Sequence, residues 1–210
     1  MDAAVPFGGR DYCLLLLLLV FARGMDFLST WIATPNLVLE GNPLAKKLGW
    51  QWGLLLNIVL VGVLALWPLS AIVVATASVL VAARNFQSAW LMHSLGEEMY
   101  RRWHVERVQE TRITVYLLCL AGNTLLTAGV GAALIYYSHL RLAPFAIGMG
   151  MVAYAVAVAF YTLLAIWRIR RAVNKLKAWQ NSNANDKGLM SAEPVKTWVG
   201  VENRMPDKNI

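Results

Sequence analysis

Charged residues are scarce in this chain of 210 residues, at only 15% of the sequence, whereas an ordinary soluble domain has about 25%. Hydrophobic residues make up 58%, and they form long blocks separated by short polar segments. Such blocks are typical of membrane-spanning helices and exclude a large soluble core. The net charge is +7. Because the basic residues lie next to the apolar blocks, they indicate contact with the membrane rather than with nucleic acid.

Cysteine and histidine are also rare, with two and three residues. Cys13 and Cys119 are predicted near opposite membrane faces, and a disulfide needs Cα atoms within about 7 Å. We therefore expect two free thiols. Because no zinc or redox spacing, phosphate-binding loop or nucleophile arrangement is visible, we expect no cofactor and assign no catalytic residue.

The apolar blocks predict an all-α, polytopic helix bundle in a transmembrane domain over residues 1–180. Its five spans cover about residues 12–34, 44–67, 69–92, 113–137 and 144–167. At 1.5 Å per residue, the first span is about 34 Å long, enough to cross a hydrocarbon core of about 30 Å. Pro35 ends this span, and Pro68 separates the second span from the third. Residues 1–11 lack a basic region, so 12–22 are interpreted as part of an uncleaved span rather than a cleaved signal.

The remaining segments are predicted to lie on the cytoplasmic side. They are an amphipathic helix at 93–112, a basic helical extension at 168–180 and a disordered tail at 181–210. With the C-terminus inside, the outer flanks carry only Arg10 and Arg141 among the basic residues. This asymmetry predicts an outside N-terminus and an inside C-terminus. Segment 168–180 is expected to contact anionic lipid, and a homo-oligomer or a membrane partner remains possible.

A polar face on the first span is the strongest functional signal. Arg23, Asp26, Ser29 and Thr30 fall within about a third of the helical circumference. Ionisable groups at membrane depth are costly, so they indicate a functional site by default. Arg23 and Asp26 are three residues apart and can also neutralise each other, in which case the hydroxyl groups only support packing. Both interpretations stay open.

Three residues elsewhere extend this predicted binding site. Asn85 lies in the third span at the depth of Asp26 and could contact it. Glu40 and Asn42 follow the first span, and their loop could fold back beneath it. Two carboxylates with an amide could hold a cation or share a proton. The predicted site is therefore Arg23, Asp26, Ser29, Thr30, Glu40, Asn42 and Asn85.

Two stripes of small and polar residues also mark the later spans. Small residues at helical spacing let helices approach closely, so both stripes are explained by packing alone. The stripes are Ser78, Ala82, Asn85, Ala89 and Met92 in the third span, and Cys119, Asn123, Thr127 and Gly131 in the fourth.

The pattern from Asp26 to Leu44 resembles a family of small bacterial multi-pass membrane proteins of unknown function. The shared D-x3-T…E-x-N-P-[LM] pattern falls on Asp26, Thr30, Glu40, Asn42, Pro43 and Leu44. The resemblance covers about residues 12–92. It implies a bacterial membrane, which we take to be the inner membrane, and it implies no reaction. Family members often have a lysine in the second span, where this chain has Asn57.

A weaker alternative is a metal site in segment 93–112. Its E-E-x-x-x-R pattern is similar to the first motif of CAAX-protease-like intramembrane peptidases. Those enzymes need further histidine motifs, which this chain does not match. The alternative ligands are His93, Glu97, Glu98 and His104, but ion pairs on a polar helix explain the glutamates more simply.

Three functional hypotheses remain open. The first is a binding or transport-like protein with an inner-half site for a cation, a proton or a small polar solute. The second is a non-catalytic membrane scaffold whose polar residues fix helix packing. The third is an intramembrane enzyme that acts on lipid or peptide.

Overall fold

The computed structural model describes residues 3–36 and 43–186, with side chains at 3–36 and 49–175. The described chain is all-α, which confirms the predicted class. Its six helices are α1 Arg10–Ala33, α2 Pro43–Leu64, α3 Pro68–Leu95, α4 Glu97–Glu110, α5 Ile113–Tyr137 and α6 Leu142–Asp186.

Four of these helices are long and apolar enough to cross a membrane: α1, α3, α5 and the Leu142–Lys175 part of α6. Most of their large apolar side chains are exposed, for example Leu118 at 72% and Leu126 at 74%. Exposed apolar surface of this extent is stable in lipid rather than in water. The composition and the helices together define a membrane protein.

Helix α2 differs from the predicted span 44–67. Gly49 has φ 68° and ψ −175°, so it interrupts the helix. Glycine accepts this conformation because it has no Cβ atom. The apolar part that follows, Gly49–Leu64, is shorter than the other four apolar helices and measures about 24 Å. Span 44–67 is therefore not one continuous helix.

Two other predicted boundaries also shift. Segment 93–112 is divided because α3 extends to Leu95 and Gly96, with φ 75°, separates it from α4. At the other end of the chain, α6 contains the predicted extension 168–180 and continues to Asp186. The first six residues of the predicted tail 181–210 are thus helical, and its remainder lies outside the described residues.

The chain forms two compact units. Unit 1, residues 1–170, contains α1 to α5 and the first part of α6. Unit 2 begins at Arg171 and is described as helix to Asp186.

Helices α1 and α3 form the central pair of the first unit. Arg23 contacts Ser78, and both Ser29 and Thr30 contact Asn85. The sequence separations are 55 or 56, and a constant separation means that the two helices run parallel. Their buried residues recur at intervals of three, four or seven positions, which is the seam of a close helix pair. These residues are Tyr12, Leu19, Ala22, Ser29 and Ala33 on α1, and Ala71, Ala75, Ser78, Ala82 and Ala89 on α3.

Between Trp50 and Gly62, helix α2 runs antiparallel to α1. Near the start of α1, the Tyr12 hydroxyl donates to the Gly62 carbonyl at 3.3 Å. Beyond the end of α1, the indole N–H of Trp50 donates to the Pro35 carbonyl at 2.9 Å. The short apolar part of α2 thus links both ends of α1.

Helices α5 and α6 are joined through glycines. A Cβ atom on Gly148 would lie 2.5 Å from the Gly131 carbonyl oxygen, so only glycine permits this approach. Helix α6 also packs on α3, where a Cβ atom on Gly150 would lie 2.7 Å from the Val73 carbonyl oxygen. Further along, Thr162 lies 3.4 Å from the guanidinium of Arg84. These two contacts show that α6 runs parallel to α3.

Candidate functional site

The polar side chains of α1, α2 and α3 converge around Arg23. Its Nη1 donates to Asp26 Oδ2 at 2.8 Å and to Ser78 Oγ at 3.2 Å. Its Nε donates to Asn57 Oδ1 at 2.7 Å, and Nη2 donates to the same oxygen. One guanidinium therefore connects three helices, and such charge-assisted bonds are stronger than neutral ones.

The second half of the cluster is neutral and lies about two turns further along α1. The Asn85 amide donates to Ser29 Oγ and to Thr30 Oγ1, both at 3.3 Å. The Ser29 hydroxyl donates to the Asp26 carbonyl at 2.9 Å. Ser29 thus links Asn85 to the backbone of Asp26. Together, Arg23, Asp26, Ser29, Thr30, Asn57, Ser78 and Asn85 form what we call the polar cluster.

The polar cluster lies near the middle of α1, a helix that is long and apolar enough to cross a membrane. Arg23 stands 13 residues after Arg10 and 10 residues before Ala33, which places it about 20 Å and 15 Å from the two ends of α1. Ser29 is fully buried, whereas the Arg23 and Asp26 side chains keep 28% and 16% of their surface exposed. Partly exposed charges at this depth need a polar environment, because hydrocarbon cannot solvate them.

Five of the seven predicted site residues therefore lie in the polar cluster: Arg23, Asp26, Ser29, Thr30 and Asn85. Glu40 and Asn42 lie outside the described residues. The cluster also contains Asn57, which was not in the predicted site. It is the one polar side chain in the middle of the second span, and that isolation is the signal that could have identified it.

Three of the four residues of the weaker metal alternative, Glu97, Glu98 and His104, have other contacts. Glu98 forms ion pairs with Arg101 at 3.0 Å and with Arg102 at 3.5 Å. Glu97 accepts a hydrogen bond from the Asn36 backbone N–H at 2.7 Å. Within residues 3–36 and 43–186, no group of three or more His, Cys, Asp or Glu side chains is arranged to hold a metal ion. His93 and His104 therefore join no such group there.

His104 belongs instead to an aromatic contact on α4. Its ring stacks on Tyr100, with centroids 5.9 Å apart and planes at 13°. Burial lowers the pKa of His104 below its ordinary value, because a desolvated imidazole favours its neutral form. Burial, and secondarily the neighbouring Tyr116, raises the pKa of Tyr100. Tyr100 and His104 are both half-buried, so α4 is partly covered by protein.

Both cysteines are free and exposed in the structure, which agrees with the expected pair of thiols. Comparison with protein-family models, with curated proteins and with solved structures gives no match.

Proposed function

We propose that this chain is a multi-pass membrane protein of the binding or transport-like class, with the polar cluster as its inner-half site. The carrying observation is the Arg23–Asp26 ion pair, which lies at membrane depth, is held by three helices and is still partly exposed. The exposed part of a charged pair is costly if it faces hydrocarbon, and in membrane proteins such groups face the bundle interior or a water-filled cavity. The exposed fraction supports contact with water or with a polar ligand.

The net charge of the polar cluster indicates which class of ligand it would bind. A small polar solute fits better than a cation or a proton. Among the described side chains, Arg23 neutralises Asp26, so the cluster presents donors and acceptors with little net charge. A paired carboxylate attracts a bare cation less strongly than an unpaired one. Hydroxyl and amide groups suit a solute that both donates and accepts hydrogen bonds.

Ligand binding is tested through stability, because a ligand that binds the folded state raises the unfolding temperature. The unfolding temperature of detergent-purified protein is measured with urea and with glycine as polar solutes. Sodium is compared with choline to test for a cation, and a series of pH values tests for a proton. We expect urea or glycine, each at a millimolar concentration at which neither changes stability through the solvent, to raise the unfolding temperature, and Asp26→Asn to abolish the rise. Asp11→Asn, at an exposed position at the start of α1, is the matched control and should keep it.

The proposal fails if folded Asp26→Asn responds to every probe as the unchanged protein does. It also fails if none of these probes shifts the midpoint of the unchanged protein. If sodium raises the unfolding temperature and Asp26→Asn abolishes that rise, the ligand is a cation rather than a small polar solute.

A second candidate, the membrane scaffold, is favoured by the saturation of Arg23 with protein acceptors on Asp26, Asn57 and Ser78. If the cluster only fixes packing, replacing the pair by Arg23→Met with Asp26→Leu should be neutral or stabilising. Loss of biological activity in a stable double variant would contradict the scaffold.

For topology, we propose five spans with the N-terminus outside and the C-terminus inside. The directions of the helices support this. Because α1 and α3 run parallel and each can cross the membrane, the chain between them must return, and antiparallel α2 supplies that crossing. Helix α6 is again parallel to α3, so α5 supplies the other return. The Lys and Arg distribution and the D-x3-T…E-x-N-P-L resemblance support the orientation and a bacterial inner membrane, and segment 168–180 would then meet anionic lipid.

The topology has a direct test with fusions at the C-terminus. A green fluorescent protein, which folds in the cytoplasm, should fluoresce there. Alkaline phosphatase, which needs an oxidising compartment for its disulfides, should be inactive. The opposite pair of results would overturn the orientation.

A further inference from the structure

Asn123 occupies an unusual place in α5. It lies 10 residues after Ile113 and 14 before Tyr137, near the centre of a membrane crossing, and it is exposed. Its backbone carbonyl accepts a hydrogen bond from the Thr127 hydroxyl at 2.9 Å. Its side-chain amide has no hydrogen-bond partner within the described chain. An unpaired amide surrounded by hydrocarbon is costly, so this position calls for a polar partner.

The surface beside Asn123 is shaped for another helix. The side of α5 that contacts α6 carries Gly131, the one buried residue of this helix. A different side has residues spaced three and four apart, all of them exposed: Cys119, Gly122, Leu126, Gly129 and Ala133. Cβ atoms on Gly122 and Gly129 would meet no atom within 4 Å. This seam, together with the adjacent Asn123, is called the α5 face.

We infer that the α5 face binds a second copy of this chain through a two-fold axis normal to the membrane. Two copies inserted in the same direction place every residue at the depth of its counterpart. An asparagine amide both donates and accepts, so Asn123 is complementary to Asn123 of the other copy. Gly122 and Gly129 let the two backbones approach closely. The contact is isologous and closes as a dimer.

The α5 face also carries a cysteine that can be used to detect the proposed dimer. Cys119 is one helical turn before Asn123, its thiol is free, and it is exposed. In the proposed dimer the two Cys119 residues face each other, so an oxidant should join them. Cys13, on α1, lies on a different helix and has no such counterpart in this arrangement.

The test uses oxidation of full-length protein in native membranes with copper phenanthroline, followed by a non-reducing gel. The Cys13→Ser variant should form a covalent dimer, and Cys119→Ser should not. Asn123→Leu should weaken dimerisation by about 3- to 30-fold, the range expected from interhelical amide bonds in membranes. Asn123→Gln keeps the amide and should retain most of the cross-linking.

A matched control places the thiol elsewhere on α5. Leu117 is 40% exposed, and at about 100° per residue its position lies about a third of a turn or more from every residue of the α5 face. Leu117→Cys in a background without the two native cysteines should cross-link poorly. Equal cross-linking at Leu117 and Cys119, or no effect of Asn123→Leu in folded protein, would overturn the proposal. A Cys119 adduct with a different protein would also overturn it in favour of another partner. Since Asn123 is outside the polar cluster, this outcome is independent of the proposed ligand site.

Discussion

Arg23 and Asn57 meet across the interface of α1 and α2, with Arg23 Nε 2.7 Å from Asn57 Oδ1. The amide is also fixed on its own helix, because Nδ2 donates to the Gly53 carbonyl at 2.8 Å. This second bond aims the oxygen at the guanidinium. Asn57 therefore holds α2 to the charged centre of α1 without adding a charge.

Removing this acceptor should weaken the bundle. Asn57→Leu leaves Nε of Arg23 without its partner at membrane depth, and we expect a loss of about 1–3 kcal/mol in the free energy of unfolding. Thermal or denaturant unfolding in detergent measures the change. Gln51→Leu, at an exposed position of the same helix, is the control and should change stability by less than about 0.5 kcal/mol. Equal effects of the two substitutions would contradict the importance of the Arg23–Asn57 bond.

The close approach of α5 and α6 makes a second prediction. Gly148→Ala places a methyl group 2.5 Å from the Gly131 backbone oxygen, so the two helices must separate. We expect a loss of about 1–3 kcal/mol, which is typical of overpacking. Gly24→Ala is the control, because its Cβ would meet no atom within 4 Å and alanine favours helix by up to about 1 kcal/mol. If Gly148→Ala is as stable as Gly24→Ala, the α5–α6 contact is not as close as described.

The environment of His104 predicts a pH dependence of α4. Because burial lowers its folded-state pKa, the unfolded state binds more protons as pH falls below about 6.5. The contribution of neutral His104 is therefore present above about pH 6.5 and is lost as pH falls through the lower folded-state pKa. Hydrogen exchange of α4 amides, corrected for intrinsic rates, should show less protection at pH 5 than at pH 7.5.

His104→Phe provides the control for this effect, since phenylalanine can still stack on Tyr100 and does not titrate. Its α4 amides should keep the same protection at both pH values. If the variant retains the full pH dependence, another group is responsible.

The sequence predicted the positions of the long apolar helices well, because about twenty consecutive apolar residues leave few alternatives to a spanning helix. Helix α5 occupies the predicted residues 113–137. The interruption at Gly49 was missed because glycine in an apolar run fits both a helix and a break. The separation of α4 at Gly96 was missed because the i,i+4 charge pairs of segment 93–112 favour a single helix.

The polar cluster was predicted only in part, and the reason is geometric. Spacing within a helix placed Arg23, Asp26, Ser29 and Thr30 on one face. Which residue of another helix meets that face depends on helix order and register, and spacing within one helix does not determine either. Asn57 could therefore be noticed in the sequence but not assigned to Arg23.

The Arg23–Asp26 pair also bears on the order in which the chain enters the membrane. During synthesis Arg23 emerges 34 residues before Asn57 and 55 residues before Ser78. Asp26, only three residues away, is available almost at once. An arginine that had to wait for its distant partners would resist insertion, whereas a neutralised one enters more easily. The Asp26 carboxylate thus neutralises Arg23 until α2 and α3 are inserted and supply Asn57 and Ser78.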